Sequence, residues 1–178
     1  MISVSGIPGS GKSTLATALS DALSWPVIRF DDYEVLTKMH PSAVTEWLDR
    51  GAPLSDSLAP GFQQAAISAG PKTILDTPFG PLWPGHGEVI SFSVWIDCPF
   101  DIALARKLQA LARAGRSDPG FAAWMQSWLE NYPHTTRLAY EQISRKTQSL
   151  VNCSVDGTSP WRVNYMLIYT ELRDAKLI

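Results

Sequence analysis

The sequence predicts a three-layer α/β fold, in which a five-stranded parallel sheet is covered by helices on both faces. Short apolar runs of strand length alternate along the chain with longer segments whose apolar residues recur every three or four positions, the spacing of a helix. Strands that alternate with helices in this way form parallel sheets, whose ligands bind at the carboxyl ends of the strands. The 178 residues are enough for one domain of this kind, and the chain shows no internal repeat.

The amino-terminal half contains three predicted strands and three predicted helices. Three leucines of residues 12–24 recur at four-residue spacing and predict a helix with one apolar face. Gly51 and the Gly70-Pro71 pair predict the ends of two further helices, because glycine and proline interrupt helices. The predicted ranges are, in order, a strand at 1–5, a helix at 12–24, a strand at 26–30, helices at 41–49 and 62–68, and a strand at 73–76.

The carboxyl-terminal half opens with a loop, because residues 77–87 hold three prolines and three glycines. A break at residues 115–120 separates two helical regions, and the Ser159-Pro160 pair opens the last helix. The predicted ranges are a strand at 91–96, a helix from 101 to about 111, a helical region that includes Trp124 and Trp128, a helix from Pro133 to about Lys146, a strand at 149–155 and a final helix after Pro160.

The composition is typical of a globular protein that acts on small molecules. Hydrophobic residues make up 45% of the chain, charged residues 18%, and the formal net charge is −2. The basic residues are scattered, which predicts neither a nucleic-acid surface nor a basic membrane patch. The longest apolar run, residues 91–100, is interrupted by Asp97, and the first predicted strand leaves no room for a signal peptide. We therefore expect a cytoplasmic monomer or homodimer with a small-molecule substrate.

A phosphate-binding motif stands where the first strand turns into the first helix. Residues 6–13, which we call the phosphate loop, match the pattern G-x-x-x-x-G-K-[ST], and Thr14 follows directly. Glycines let successive main-chain N–H groups point at a phosphate, and the start of the helix adds its positive dipole end. Lys12 is expected to bind the β- and γ-phosphates and to assist catalysis, and the Ser13 hydroxyl can ligate Mg²⁺. The predicted nucleotide contacts in this region are Gly6, Pro8, Gly9, Ser10, Gly11, Lys12, Ser13 and Thr14.

Acidic residues end the second and third predicted strands. A kinase that acts on an alcohol needs a carboxylate to orient the hydroxyl and accept its proton, and Asp31 is the first candidate for this base. Asp32 is the second candidate, and together with Tyr33 it is expected to contact the acceptor; the alternative is that these acids cap the next helix. Asp76 is expected to hold a water of the Mg²⁺ shell or to contact the acceptor, although a solvated strand end would also carry such a residue.

Arginines on the later helices are candidates for the cations that phosphoryl transfer requires. Arg106 and Arg113 lie seven residues apart, on one face of a predicted helix, and a lid at about residues 106–120 would bring Arg106 to the nucleotide and Arg113 to the reacting phosphate. The alternative is a solvated basic face. Arg137 on a later helix and Trp83 in the loop at 77–87 are predicted to contact the acceptor.

Four patches of sequence resemble the uridine kinase and phosphoribulokinase branch of the P-loop kinases. They are GIPGSGKST at 6–14, FDDY at 30–33, ILDTPFGP at 74–81 and VWIDCPFDIALARKL at 94–108. The resemblance implies a single P-loop kinase domain over residues 1–178, a helical lid after the fourth strand, ATP as the phosphoryl donor and a catalytic aspartate at Asp31. The Val155-Asp156-Gly157 turn is similar to the loop that lies beside the adenine in this family, which implies a nucleotide contact at Asp156.

The predicted function is that of an ATP- and Mg²⁺-dependent kinase, which transfers the γ-phosphoryl group to a hydroxyl of a nucleoside or a sugar-like alcohol. A substrate-facing segment is expected at about residues 33–61. One alternative is a nucleoside monophosphate kinase, for which Arg29 and Arg50 are the early candidates to clamp an acceptor phosphate. Another alternative is a regulatory module that binds ATP without catalysis. A GTPase is disfavoured, because the chain lacks an Asn-Lys-x-Asp motif.

Overall fold

Five parallel strands form the centre of the molecule, in a computed structural model that describes residues 1–35, 41–55, 58–115 and 120–178. The order across the sheet is β2-β3-β1-β4-β5, and all four neighbouring pairs are parallel. The predicted five-stranded parallel sheet is therefore confirmed. The strands are β1 at Ile2–Gly6, β2 at Val27–Arg29, β3 at Ile74–Thr77, β4 at Phe92–Asp97 and β5 at Cys153–Asp156.

Helices connect the strands and cover both faces of the sheet, as the alternating pattern predicts. Two short 3₁₀ turns, at Phe30–Asp32 and Gly80–Leu82, follow β2 and β3. The helices of the described residues are α1 at Lys12–Leu23, α2 at Pro41–Asp49, α3 at Phe62–Ala69, α4 at Phe100–Ala114, α5 at Phe121–Asn131, α6 at Thr136–Gln148 and α7 at Trp161–Asp174.

One face of the sheet packs against α1 and α7 through aliphatic side chains. Successive side chains of a strand point to opposite faces, so Ile2 and Val4 of β1 reach this side. The helices contribute the leucines of α1 that recur at four-residue spacing, which confirms that the repeat marks the buried face. The buried residues of this core are Ile2, Val4, Leu15, Ala16, Leu19, Ile74, Phe92, Val94, Ile96, Val155, Ile168 and Leu172.

The opposite face is packed by aromatic side chains. Rings of the turn after β2, of α3 and of the loop after β3 contact one another with centroids 5.0 to 5.7 Å apart, four pairs edge to face and the Phe79–Trp83 pair tilted. His86 lies against two of these rings and is fully buried. We call Phe30, Phe62, Phe79, Trp83 and His86 the aromatic cluster.

The fifth strand starts later than predicted, and parts of two expected segments lie outside the described residues. The fifth strand begins at Cys153 rather than at residue 149, because the chain first turns out of α6, with the Leu150 amide donating to the Thr147 carbonyl at 2.9 Å. The break between α4 and α5 occurs where predicted, but residues 116–119 of the expected lid lie outside the described residues, as do residues 36–40 and 56–57 of the expected substrate-facing segment. None of the helices in the described residues has the length and apolar character needed to cross a membrane.

Candidate active site

The phosphate loop connects the end of β1 to the start of α1, and two of its glycines are required for different reasons. At Gly9, where φ is +90°, a side chain would collide with the Ala103 carbonyl in the first turn of α4. At Gly11, where φ is +103°, no neighbouring atom lies close, so the positive φ alone favours glycine. The loop is closed by a hydrogen bond of 3.0 Å from the Ser10 amide to the Ile7 carbonyl.

The start of α1 has the properties of an anion-binding site. The first N–H groups of a helix have no acceptor within the helix, and Gly11 provides no side-chain cap. The first turn of α1 also carries no acidic residue, so no carboxylate competes for these donors. Lys12 is only 5% exposed, which concentrates its positive charge at the same end of the helix. This arrangement suits the phosphates of a nucleotide.

Asp76 lies beside the phosphate loop because β3 is the neighbour of β1. It pairs with Val4 in the sheet and is 3% exposed, and its Oδ1 has no hydrogen-bond partner among the described residues. Burial raises the pKa of the Asp76 carboxyl, the Lys12 ammonium and the Ser13 hydroxyl act in the opposite direction, and the charge of Asp31 raises it further. A buried carboxylate oxygen without a partner, next to an exposed hydroxyl, fits a hydrated Mg²⁺ ion.

Asp31 follows β2, the strand on the other side of β3 from β1, and its charge acts on Asp76. Arg29, the last residue of β2, pairs with Asp76, and the chain then turns through Phe30–Asp32. The Phe30 ring is buried in the aromatic cluster and anchors this turn, which leaves Asp31 and Asp32 exposed. Neither carboxylate caps this turn, which begins after Arg29; residues 36–40, which lead into the next helix, are outside the described residues.

Tyr140 of α6 lies across from this acidic turn. Burial is the main cause that raises the pKa of the Tyr140 phenol, and the neighbouring Tyr132, Asp31 and Glu34 add to the effect. The charge of Asp31 thus acts on both the Asp76 carboxyl and the Tyr140 phenol, which come from distant parts of the sequence. Tyr33, by contrast, packs its ring against Phe62, with centroids 5.8 Å apart.

Arg106 and the turn after β5 form a second part of the site. Arg106 Nη1 donates to the Gly157 carbonyl at 2.7 Å, and the Gly157 amide donates to the Asp97 carbonyl at 2.6 Å. The Asp156 carboxylate accepts hydrogen bonds from the Thr158 amide and hydroxyl and from the Ser159 hydroxyl, and these bonds lower its pKa. Asp156 thus orders the turn that is expected to lie beside the nucleotide.

The other two predicted arginines, Arg113 and Arg137, differ in their position relative to the phosphate loop. Arg113 lies seven residues beyond Arg106 on α4, which is about 10 Å farther along the helix axis, and it is exposed. The first turn of α4 is the part that packs against Gly9, so the described structure does not bring Arg113 to the phosphate loop. Arg137 lies over the Phe100 ring, at 5.5 Å from its centroid, and is paired with Glu141 at 3.0 Å. Since Phe100 begins α4, Arg137 lies on the side of the phosphate loop.

Trp83 does not lie where it could cover an acceptor, which corrects the prediction. Its side chain is 1% exposed and packs against the rings of Phe30, Phe62 and Phe79 inside the aromatic cluster. The proline- and glycine-rich loop after β3 folds back over the sheet, so its tryptophan enters the core. Trp83 supports the acidic turn from below through Phe30.

Arg29 is a neighbour of Asp76 that the sequence pattern did not predict. Arg29 was considered only as a clamp for an acceptor phosphate, whereas the structure places it beside the Asp76 carboxyl, and its charge lowers the pKa of that carboxyl. Its Nη2 donates to the Thr17 hydroxyl of α1 at 3.2 Å. The signal lay in the strand register, which cannot be read before the strand order is known.

Comparison with known proteins supports the fold. A family model described as an AAA domain matches residues 1–81, which contain the phosphate loop, Asp31 and Asp76 but less than half of the chain. No curated protein matches the sequence significantly.

Solved kinase structures align with nearly the whole chain. A shikimate kinase from Aquifex aeolicus is 19% identical with a TM-score of 0.50, and the alignment covers 99% of this chain and 98% of that one. A deoxyadenosine kinase from M. mycoides with bound dCTP is 12% identical with a TM-score of 0.54, covering 97% and 98%. A sugar kinase from Janibacter sp. HTCC2649 is 15% identical with a TM-score of 0.50, covering 97% and 91%. At these identities the likeness shows a shared fold, and the chain has an α/β fold of the P-loop NTPase type.

Proposed function

We propose that the protein is an ATP-dependent phosphotransferase that moves the γ-phosphoryl group to a hydroxyl of a small molecule. One observation carries the proposal. The Asp76 carboxyl is buried, one of its oxygens has no hydrogen-bond partner among the described residues, and its pKa is affected both by Lys12 and Ser13 of the phosphate loop and by Asp31. The Asp76 carboxylate therefore has the phosphate loop and the exposed candidate base Asp31 as its neighbours, as transfer from a nucleotide to an alcohol requires.

The donor is held mainly by the backbone. The amides at the start of α1 and the Lys12 ammonium bind the β- and γ-phosphates, and Thr14 contacts the α-phosphate. Arg106 and the turn ordered by Asp156 form the edge at which the base of the nucleotide lies. Ser13 and Asp76 would hold Mg²⁺, directly or through its water shell, and the ion would neutralise phosphate charge.

The acceptor hydroxyl is activated by Asp31. As the hydroxyl oxygen bonds to the γ-phosphorus, Asp31 accepts the hydroxyl proton, the bond from the γ-phosphorus to the bridging oxygen breaks, and ADP leaves with that oxygen. Asp32 and Tyr33 border the acceptor on the same turn, and Arg137 stabilises the charge from α6. Arg113 contacts the reacting phosphate only if α4 bends, so Arg106 is the better-placed cation.

The names of the structural neighbours support an alcohol acceptor. Shikimate kinase, deoxyadenosine kinase and sugar kinase are the names of the three structures with this fold. The sequence patches favour, within this group, the uridine kinase and phosphoribulokinase branch. A cytoplasmic enzyme, monomeric or homodimeric, completes the proposal. No observation favours the monophosphate kinase alternative, because Arg29, the candidate clamp nearest the site, is bound to Thr17.

The test is phosphoryl transfer from Mg²⁺-ATP to a panel of nucleosides, polyols and aromatic alcohols. Asp31→Asn should lower turnover by about 10²- to 10⁴-fold while leaving ATP affinity within about 2-fold, because the base acts only on the acceptor. Asp32→Asn is the matched control on the same turn and should lower turnover by less than about 10-fold. Transfer to no member of the panel would contradict the proposed function, and equal losses in the two variants would remove Asp31 from its role.

A further inference from the structure

The last helix, α7, is apolar on two opposite faces. One face carries the buried residues Ile168 and Leu172 and packs against α1 and the sheet. On the other face three large apolar side chains are 50 to 59% exposed, and a threonine follows them at the same helical spacing. Single exposed apolar residues are common, but a continuous stripe on a helix indicates an interface. We call Val163, Met166, Leu167 and Thr170 the α7 stripe.

A groove runs beside the α7 stripe, between α7 and α1. Its volume is about 1040 Å³. On the α1 side it is lined by small residues, among them Thr17 and Ala18, and on the α7 side by Trp161, Tyr165 and Met166. Met166 therefore belongs both to the stripe and to the wall of the groove. A raised row of apolar side chains next to a groove has the shape that helix packing uses, because the ridges of one helix fit into the grooves of another.

Opposite charges stand at opposite ends of this face. Arg162 lines the groove from the first turn of α7, and Asp21 lines it from the last turn of α1. Both helices follow strands of one parallel sheet, so they run in the same direction. Both side chains are exposed, and neither takes part in an ion pair among the described residues. The face is therefore basic at one end and acidic at the other.

The symmetry of the face selects its occupant. The α7 stripe has the same spacing in both directions from its midpoint, which lies between Met166 and Leu167. A two-fold axis at this midpoint, perpendicular to α7, places Met166 of one copy on Leu167 of the other. The same axis exchanges the two ends of the face, so that Arg162 of each copy lies at the end where the other copy has Asp21. A surface that complements itself in shape and charge suits a two-fold dimer.

We propose that α7 and α1 form the interface of a homodimer, in which the α7 stripes of two copies pack antiparallel across a two-fold axis. Helices of 14 and 12 residues are about 21 and 18 Å long, and side by side they present a face about 20 Å across. This size is at the small end of the interfaces found in stable complexes, so the dimer is reversible. The inference concerns the assembly of the protein and goes beyond its proposed reaction.

Sedimentation velocity of the full chain without nucleotide, from about 1 to 200 µM, measures the assembly. We expect a concentration-dependent species of twice the 19.6 kDa mass of one chain. Leu167→Glu brings two carboxylates together at the two-fold axis and should weaken the dimer by at least about 100-fold. Ile67→Glu is the matched control, because Ile67 is 49% exposed on α3, away from this face. It should change the dissociation constant of the dimer by less than about 2-fold.

A charge reversal tests the antiparallel arrangement itself. Arg162→Glu and Asp21→Arg should each weaken the dimer by about 10-fold, because each sets like charges against one another at both ends of the interface. The double variant exchanges the partners and should return the dissociation constant to within about 3-fold of the wild type. The substituted side chains are exposed, so the fold should be kept, and circular dichroism spectra check this.

The outcomes decide between this dimer and other uses of the face. A chain that stays monomeric over the whole concentration range overturns the inference, and so does a dimer that Leu167→Glu leaves intact. A double charge variant that is no tighter than the single variants overturns it as well. A monomer that binds phosphatidylcholine vesicles, and loses them in Leu167→Glu, would assign the stripe to lipid and overturn it too. None of these measurements needs ATP or an acceptor, so the proposed function is tested separately.

Discussion

The two ends of the candidate site are built in opposite ways. At the phosphate end, Lys12 and Asp76 are 5% and 3% exposed, and the loop between β1 and α1 is held by backbone contacts. At the acceptor end, Asp31 and Asp32 are exposed. The phosphate end therefore exists before any ligand arrives, whereas the acceptor end is completed by the substrate itself.

This difference teaches where specificity lies. A fixed phosphate end suits a donor that is the same for many enzymes of this fold, and an open acceptor end allows the substrate to change while the chemistry is kept. Substitutions at the phosphate end should act on folding and nucleotide binding together. Substitutions at the acceptor end should act on folding alone, on nucleotide binding alone, or on substrate choice.

The largest effect at the phosphate end is expected from Asp76→Asn, which should lower activity and raise stability. Turnover should fall by about 10²- to 10³-fold, because a ligand of Mg²⁺ or of its water shell is weakened. The folded state raises the pKa of this carboxyl, so its ionisation at neutral pH costs stability. The variant should therefore melt at a higher temperature than the wild type at pH 7.

The gain in melting temperature of Asp76→Asn should fade as the pH falls from the raised pKa of the folded state to the ordinary pKa of aspartate, below which the carboxyl is protonated in both the folded and the unfolded protein. Thermal melts from pH 7 to pH 3.5 measure this. A variant that is less stable than the wild type at pH 7 would show that the attraction of the Lys12 charge outweighs the cost of burial.

Gly9→Ala should be next, because the phosphate loop has no room for a side chain at this position. The new Cβ would collide with the Ala103 carbonyl at a residue with positive φ, and we expect the free energy of unfolding to fall by about 3 kcal/mol. Gly11→Ala is the matched control, since its Cβ would enter open space and only the strain of positive φ remains, about 1 kcal/mol. Denaturant melts that give the same loss for both variants would count against the steric explanation.

The smallest effect is expected beneath the acceptor end, at His86. Burial lowers the pKa of His86 to about 4, so the unfolded chain binds a proton there before the folded protein does. The stability that a neutral His86 contributes is complete above pH 6.5 and is lost as the pH falls towards 4, by about 2 kcal/mol at pH 5. His86→Phe should remove this dependence while the variant stays folded in the aromatic cluster.

Urea unfolding at pH 7 and pH 5 measures the contribution of His86. The wild type should lose about 2 kcal/mol more than His86→Phe between the two values. An equal loss in both proteins would mean that the folded structure protonates His86 without penalty, and that the cluster is more open than its packing indicates.

Local sequence patterns were sufficient for the elements and for the phosphate loop. The leucines of α1 recur at helical spacing, and the glycines of the loop follow from the backbone that a phosphate site needs, so both are properties of neighbouring residues. The strand order is different in kind. That β3 lies between β1 and β2, and so brings Asp76 between the loop and Asp31, depends on contacts between distant residues.

Local pattern carries no information on distance. Proline and glycine mark the segment around Trp83 as a loop, but they do not reveal that this tryptophan is buried in the aromatic cluster. Helical spacing puts Arg113 on the face of Arg106, but it does not show how far Arg113 lies from the phosphate loop.

The central claim is that main-chain amides at the start of α1, together with Lys12, bind a nucleotide triphosphate within reach of Asp31. Isothermal titration calorimetry with Mg²⁺ and a non-hydrolysable ATP analogue tests it most directly, on wild-type protein and on Lys12→Ala. We expect saturable binding by the wild type and an affinity about 10- to 100-fold weaker in the variant, because a charge-assisted contact is lost. No binding heat from folded wild-type protein, or equal affinities in the two proteins, would contradict the account.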